Sequence, residues 1–81
     1  IMDTQKVYQK VIVVISKTLL VEITDLNENT SMNDLKNWDS LNHLNLIIAL
    51  EEEFDLDFID DEIINMINVH SIIDIITLKL S

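Results

Sequence analysis

The sequence predicts an all-α fold: a four-helix bundle with a long loop between the first and second helices and a short third helix. Three observations lead there. Apolar residues recur at spacings of three and four in four separate segments, the mark of one buried helical face. The first of these patterns persists for about five turns at 3.6 residues each, too long for a strand. Acidic residues also gather at the head of the third segment, where a helix dipole favours them.

The first helix runs from about Asp3 to Glu22, with Tyr8, Val11, Ile12, Ile15, Leu19 and Ile23 on one face. Its Val11–Ile15 stretch is rich in β-branched residues that also suit strands, and only length decides for helix. A polar connection from Thr24 to Trp38 follows, in which Leu26, Met32 and Leu35 are expected to reach the core. The second helix is predicted from Ser40 to Phe54 or Asp55, with Leu46, Ile47, Leu50 and Phe54 inward. Leu44 and Ile47 read as core, Leu41 and Ile48 as exposed. Asp60–Met66 gives the short third helix. Val69 leads into the fourth, capped by Ser71, with Ile72, Ile73, Ile76 and Leu80 on its apolar face. The alternation in Ile76-Thr-Leu-Lys-Leu80 leaves its last turn open between helix and strand. Neither glycine nor proline occurs anywhere, so helix ends that need positive φ are expected to use asparagine.

At 81 residues, the chain reads as a single domain, 1–81, which buries only about 60–65% of its unfolded surface. That favours a carrier, adaptor or binding module over a self-sufficient enzyme. Ile1 before Met2 reads as a remnant of recombinant expression, with a free-standing chain beginning at Met2. Five Lys and Arg stand against fifteen Asp and Glu, a net charge of −10. Such a surface repels nucleic-acid phosphates and anionic lipid, and attracts basic partner faces. Nucleic acid and membrane insertion are therefore not expected, and no segment reaches the ~18 apolar residues of a membrane span. The absence of cysteine removes disulfides and thiolate chemistry and fits a cytoplasmic location.

The most informative stretch is Trp38-Asp39-Ser40-Leu41, directly ahead of Asn42-His-Leu-Asn-Leu-Ile-Ile-Ala-Leu-Glu-Glu-Glu-Phe54. It puts a serine hydroxyl at a helix N-terminus, where unpaired backbone N–H groups and the dipole favour a phosphate ester. The plain alternative is a helix cap, a role both Asp39 and Ser40 suit. Ser40 and His43 at i,i+3 invite a hydrolase reading, but no Gly-x-Ser-x-Gly elbow or oxyanion loop accompanies them. No catalytic residue is assigned. His43 is expected on the surface and His70 in a turn or cap. Asp55, Asp57, Asp60, Asp61 and Glu62 suggest calcium, yet Ile59 and Asp60 stand where an EF-hand needs a ligand and a glycine. No metal site is assigned, although diffuse divalent binding would relieve acidic repulsion.

Asp39-Ser40-Leu41, the Ala49-Leu-Glu-Glu-Glu-Phe54 run, Asp55-Leu-Asp-Phe58, the acidic third-helix start and Val69 together resemble the acyl carrier protein family. The likeness is in register from about Asp34 to Ile76. It implies an up-and-down bundle with the third helix crossing, and 4′-phosphopantetheine covalently attached to Ser40. A separate phosphopantetheinyl transferase would install the arm, whose thiol would carry acyl groups between loading, synthase and acyltransferase enzymes with basic faces. Asp39, Leu41, Ile48, Glu51 and Glu52 take the motif and partner-facing positions, and a monomer is expected. The chain departs from the family in Trp38 for a glycine, Ile59 for a proline, and neutral Asn42 and Asn45 where acids are common. These departures favour a specialised acyl or polyketide-type pathway over bulk fatty-acid synthesis. The other readings are an aminoacyl or peptidyl carrier, and an unmodified acidic helical interaction module.

Overall fold

In the computed structural model, which describes residues 3–81, four helices and two short 3₁₀ turns follow from local capping and apolar spacing. The reading of Met2 as the natural start lies outside the described residues. Helix α1 (Thr4–Leu19) is opened by Asp3, whose Oδ1 accepts from the Lys6 N–H at 2.9 Å. Val7, Val11, Ile15 and Leu19 recur every four residues and are buried. Helix α1 stops at Leu19 rather than Glu22, because Leu20 turns left-handed at φ 58°, and Ile23 falls in the first 3₁₀ turn, off the helical face.

The connection from α1 to α2 is not a loose loop. The 3₁₀ turns Ile23–Asp25 and Met32–Asp34 shorten it, Leu26 is buried, and Met32 and Leu35 pack against the core. An isolated antiparallel bridge ties it to the far end of the chain: Met32 N–H donates to Ile67 O at 2.8 Å and Val69 N–H to Thr30 O at 2.9 Å. These bonds satisfy backbone groups that a long excursion would otherwise leave unpaired.

Helix α2 (Ser40–Phe54) presents Leu46, Ile47, Leu50 and Phe54 to the core, as its spacing predicts. It packs on α1, and α1 also packs on α4 (Val69–Leu80) through Ile72, Ile73 and Ile76. The short helix α3 (Asp60–Asn65) contains no buried residue and touches α4. Burying the apolar stripes of α1, α2 and α4 against one another supplies the driving force, about 1.5–3 kcal/mol for each fully buried aliphatic side chain.

Several expectations are corrected by this geometry. Asn68, not Ser71, caps α4: its Oδ1 accepts from the Ser71 N–H at 2.7 Å, so the helix begins at Val69. The alternating tail is helical through Leu80, because Ile72, Ile73 and Ile76 pin the preceding turns. The positive-φ ends fall on Leu20 and Asp55 rather than on asparagine. Their positions are set by where the apolar stripes of α1 and α2 run out. Among the described residues there is no strand.

Candidate functional site at the head of α2

Asp39 and Ser40 divide the work of starting α2. Asp39 is extended and its Oδ1 accepts from the Asn42 N–H at 2.8 Å, while its carbonyl takes the first helical bond from the His43 N–H at 2.8 Å. That makes Asp39 the cap and Ser40 the first helical residue. Ser40 is exposed, and among the described residues no group engages its hydroxyl. A serine at the cap would have spent its oxygen on the helix; at the next position the oxygen stays available.

The approach to Ser40 is braced by side chains that the polar composition supplies. Trp38 N–H closes a tight turn onto Leu35 O at 3.1 Å. Asn37 Nδ2 donates to Leu19 O at 2.8 Å, fastening the turn to the end of α1. Asn42 Nδ2 donates back to Asn37 O at 2.8 Å, and Asn45 Nδ2 to Asn42 Oδ1 at 3.2 Å. The neutral residues at 42 and 45 thus hold the junction together.

His43 is buried, against the expectation of a surface position. Its ring lies between the indole of Trp38, which donates from Nε1 to His43 Nδ1 at 3.0 Å, and the carbonyl of Ile63, 2.9 Å from His43 Nε2. Trp38 is 2% exposed and packs within the core. With both ring nitrogens engaged by other groups, His43 is not placed to act as a base for Ser40.

Outward from the junction, Leu41, Leu44 and Ile48 are 70%, 54% and 53% exposed. Their spacing of three and four residues puts them on one face. Leu44 was expected in the core with Ile47. Only Ile47 is there, since Leu44 falls in line with Leu41 and Ile48 instead. Residues 40–50 carry no Asp, Glu, Lys or Arg at all. The acids resume at Glu51, whose Oε2 accepts from the Phe58 N–H at 3.0 Å and so braces the chain leaving α2. Glu52 is exposed.

Away from this end, Glu62 is tied in twice. It accepts from the Ile59 N–H at 3.0 Å and pairs with Lys79 at 3.1 Å. The Ile59 N–H first and Lys79 second hold its carboxyl below the usual glutamate range. His70 sits in the first turn of α4 beside Asp74, 3.2 Å away and exposed. A surface cleft of about 380 Å³, lined by Tyr8, His70, Ile73 and Asp74 among others, does not include Ser40. Among the described residues no group of three or more His, Asp or Glu side chains converges as metal ligands would, and no helix is long and apolar enough to cross a membrane.

Sequence reasoning placed Leu41 and Ile48 outward, as they are, but missed Leu44 between them and missed the partners of His43. The spacing 41, 44, 48 carried a signal for the full stripe, blurred by the adjacent apolar run Leu46-Ile47-Ile48. The Trp38–His43–Ile63 arrangement had none, because it joins residues five and twenty positions apart through a ring and a backbone carbonyl.

No family model matches the chain. It is 41% identical over 73 residues to the acyl carrier protein of Buchnera aphidicola subsp. Baizongia pistaciae, covering 89% of this chain and 92% of that protein. It is 34% identical over 70 residues to the acyl carrier protein of Clostridium acetobutylicum, covering 86% and 91%. The acyl carrier protein of Guillardia theta is 28% identical over 80 residues, 99% of both chains. Together with the all-helical fold, these near full-length likenesses show that the chain belongs to the acyl carrier protein family, whose members are carriers rather than catalysts.

Proposed function

We propose that this protein carries acyl intermediates on 4′-phosphopantetheine esterified to Ser40. The observation that carries the reading is the division of labour at the head of α2, where Asp39 caps the helix and the Ser40 hydroxyl stays exposed and unengaged. The site suits the group in other respects. The first N–H groups of α2 and its dipole favour an ester phosphate at Ser40. The braced turn from Leu35 to Trp38 fixes where the ester would stand.

When attached, the arm supplies a thiol that holds an acyl group as a thioester, which a chain without cysteine cannot offer. The rest falls to the protein. Ser40 provides the oxygen nucleophile and a separate phosphopantetheinyl transferase the base. The new Ser40 O–P bond would form as the pyrophosphate bond of coenzyme A breaks, with adenosine 3′,5′-bisphosphate as the leaving group. The short covalent tether keeps cargo at high effective concentration near a visiting active site. An aliphatic cargo lodged between helices is sheltered at roughly 0.8 kcal/mol per CH₂ removed from water.

The partners are acyl-loading, synthase and acyltransferase enzymes. Leu41, Leu44 and Ile48 offer them apolar contact beside Ser40, and Glu52 offers charge to a basic face one turn further on. A cytoplasmic monomer working in fatty-acid or specialised acyl biosynthesis fits the acidic, cysteine-free composition. Replacing Ser40 with alanine is expected to abolish acyl loading in a reconstituted assay while leaving the helical circular dichroism unchanged. Loading that persists on the alanine variant overturns the assignment.

A further inference from the structure

We propose that His43 is a positioning residue for the Ser40 junction, transmitting the placement of α3 to the segment that presents Ser40. This rests on the reading of Ser40 as the modified residue. The indole Nε1–H of Trp38 can only donate, so His43 Nδ1 must accept and carries no proton. A backbone carbonyl can only accept, so His43 Nε2 bears the hydrogen and donates to Ile63 O. The neighbours on both sides dictate one neutral tautomer.

Two consequences follow. The Trp38–His43 bond closes a ring of chain from residue 38 to residue 43, and Ser40 lies inside it. The His43–Ile63 bond fastens that ring to α3, since Ile63 O lies in the last turn of that helix, where it accepts the Met66 N–H at 3.3 Å and has a second lone pair for His43. Meanwhile α3 has no buried residue: Ile63 packs partly against the core, and among the described residues its polar holds on the rest of the fold are this bond and the Glu62–Lys79 pair. It is therefore the helix most easily displaced. Moving α3 away strips His43 Nε2–H of its acceptor in a site that is 8% exposed. The ring recovers a partner only by turning, and turning takes Nδ1 from the indole. Displacement of α3 thus reaches Trp38 and the junction.

Trp38 is the one tryptophan in the chain, so its indole N–H gives a single assignable resonance. The test is a set of ¹H–¹⁵N spectra of the full chain as Lys79→Met, His43→Phe and the double variant, with Ser40 loading measured from coenzyme A by a broad-specificity transferase. Lys79→Met loosens α3 from outside the relay. The expected result is that it shifts both the α3 amides and the Trp38 indole in the His43 protein. In the His43→Phe background it shifts the α3 amides alone. His43→Phe is also expected to lower kcat/KM for Ser40 loading on the order of tenfold, as small displacements of a reacting group do. His43→Gln, which keeps one acceptor and one donor, is expected to recover part of it.

An indole resonance that ignores Lys79→Met while the α3 amides move overturns the relay, and needs no histidine variant to fold. Loading of His43→Phe at the parent rate overturns the positioning role while leaving Ser40 as the carrier site. A parent protein that cannot be loaded refutes the carrier reading, and with it the positioning role.

Discussion

Leu20 ends α1 at φ 58° and ψ 49°, in a chain without a single glycine. An L-residue in the left-handed region is strained by roughly 1–2 kcal/mol, because Cβ crowds the following carbonyl. Leu20 is also 84% exposed, so removing its side chain forfeits little burial. The variant Leu20→Gly should release the strain and lose about 0.4–1 kcal/mol to the freer unfolded chain. The net gain is about 0.5–1 kcal/mol, which for a domain this size raises Tm by roughly 2–8 °C. Urea and thermal unfolding followed by circular dichroism measure it. Leu20→Ala is the decisive control, since it truncates the side chain and keeps the Cβ. Asp55→Gly, at φ 53°, should gain less, because aspartate tolerates this conformation better than leucine. If Leu20→Gly proves no more stable than Leu20→Ala, backbone strain is not what this helix end stores.

Three further outcomes follow from particular contacts. Glu62 is held ionised below the usual glutamate range, so its contribution to α3 is complete above that range and lost as pH falls through the depressed value. The protection of α3 amides, taken relative to their intrinsic exchange rate at each pH, should therefore fall in acid, and Glu62→Gln should remove that dependence; the same acid response in the glutamine variant would falsify this. Thr77 Oγ1 is buried with no hydrogen-bond partner among the described residues. Thr77→Val is accordingly expected to be neutral or to stabilise by about 1 kcal/mol, and a clear loss in urea unfolding would reveal a partner for the hydroxyl. Leu44→Ser should leave stability nearly unchanged but slow Ser40 loading roughly fivefold. Half of a leucine's burial is about 1 kcal/mol, and 1.4 kcal/mol is tenfold. Loading at the parent rate would remove Leu44 from the contact surface.

How far the sequence could be read depended on how local each feature is. The start of α2 was legible because Asp39 sits one residue before a run whose apolar spacing leaves a single helical phase. Its inward set, Leu46, Ile47, Leu50 and Phe54, followed from the same phase. Leu44 escaped because Leu46, Ile47 and Ile48 crowd beside it and blur the boundary between buried and exposed faces. The cap of α4 was misplaced because Asn68 and Ser71 are both good caps, and the choice is made by the bridge between Ser31 and Asn68. The helix ends at Leu20 and Asp55 defied propensity because tertiary packing, not local preference, sets where α1 and α2 stop. His43 was beyond reach, since its two partners are brought to it only by the fold.

The most direct test of the carrier assignment is the intact mass of the protein after incubation with coenzyme A and a phosphopantetheinyl transferase, run beside Ser40→Ala and a known carrier as positive control. One phosphopantetheine increment on the parent and none on the alanine variant is the predicted result. A folded parent that gains no mass while the control is modified would contradict the assignment and favour an unmodified interaction module.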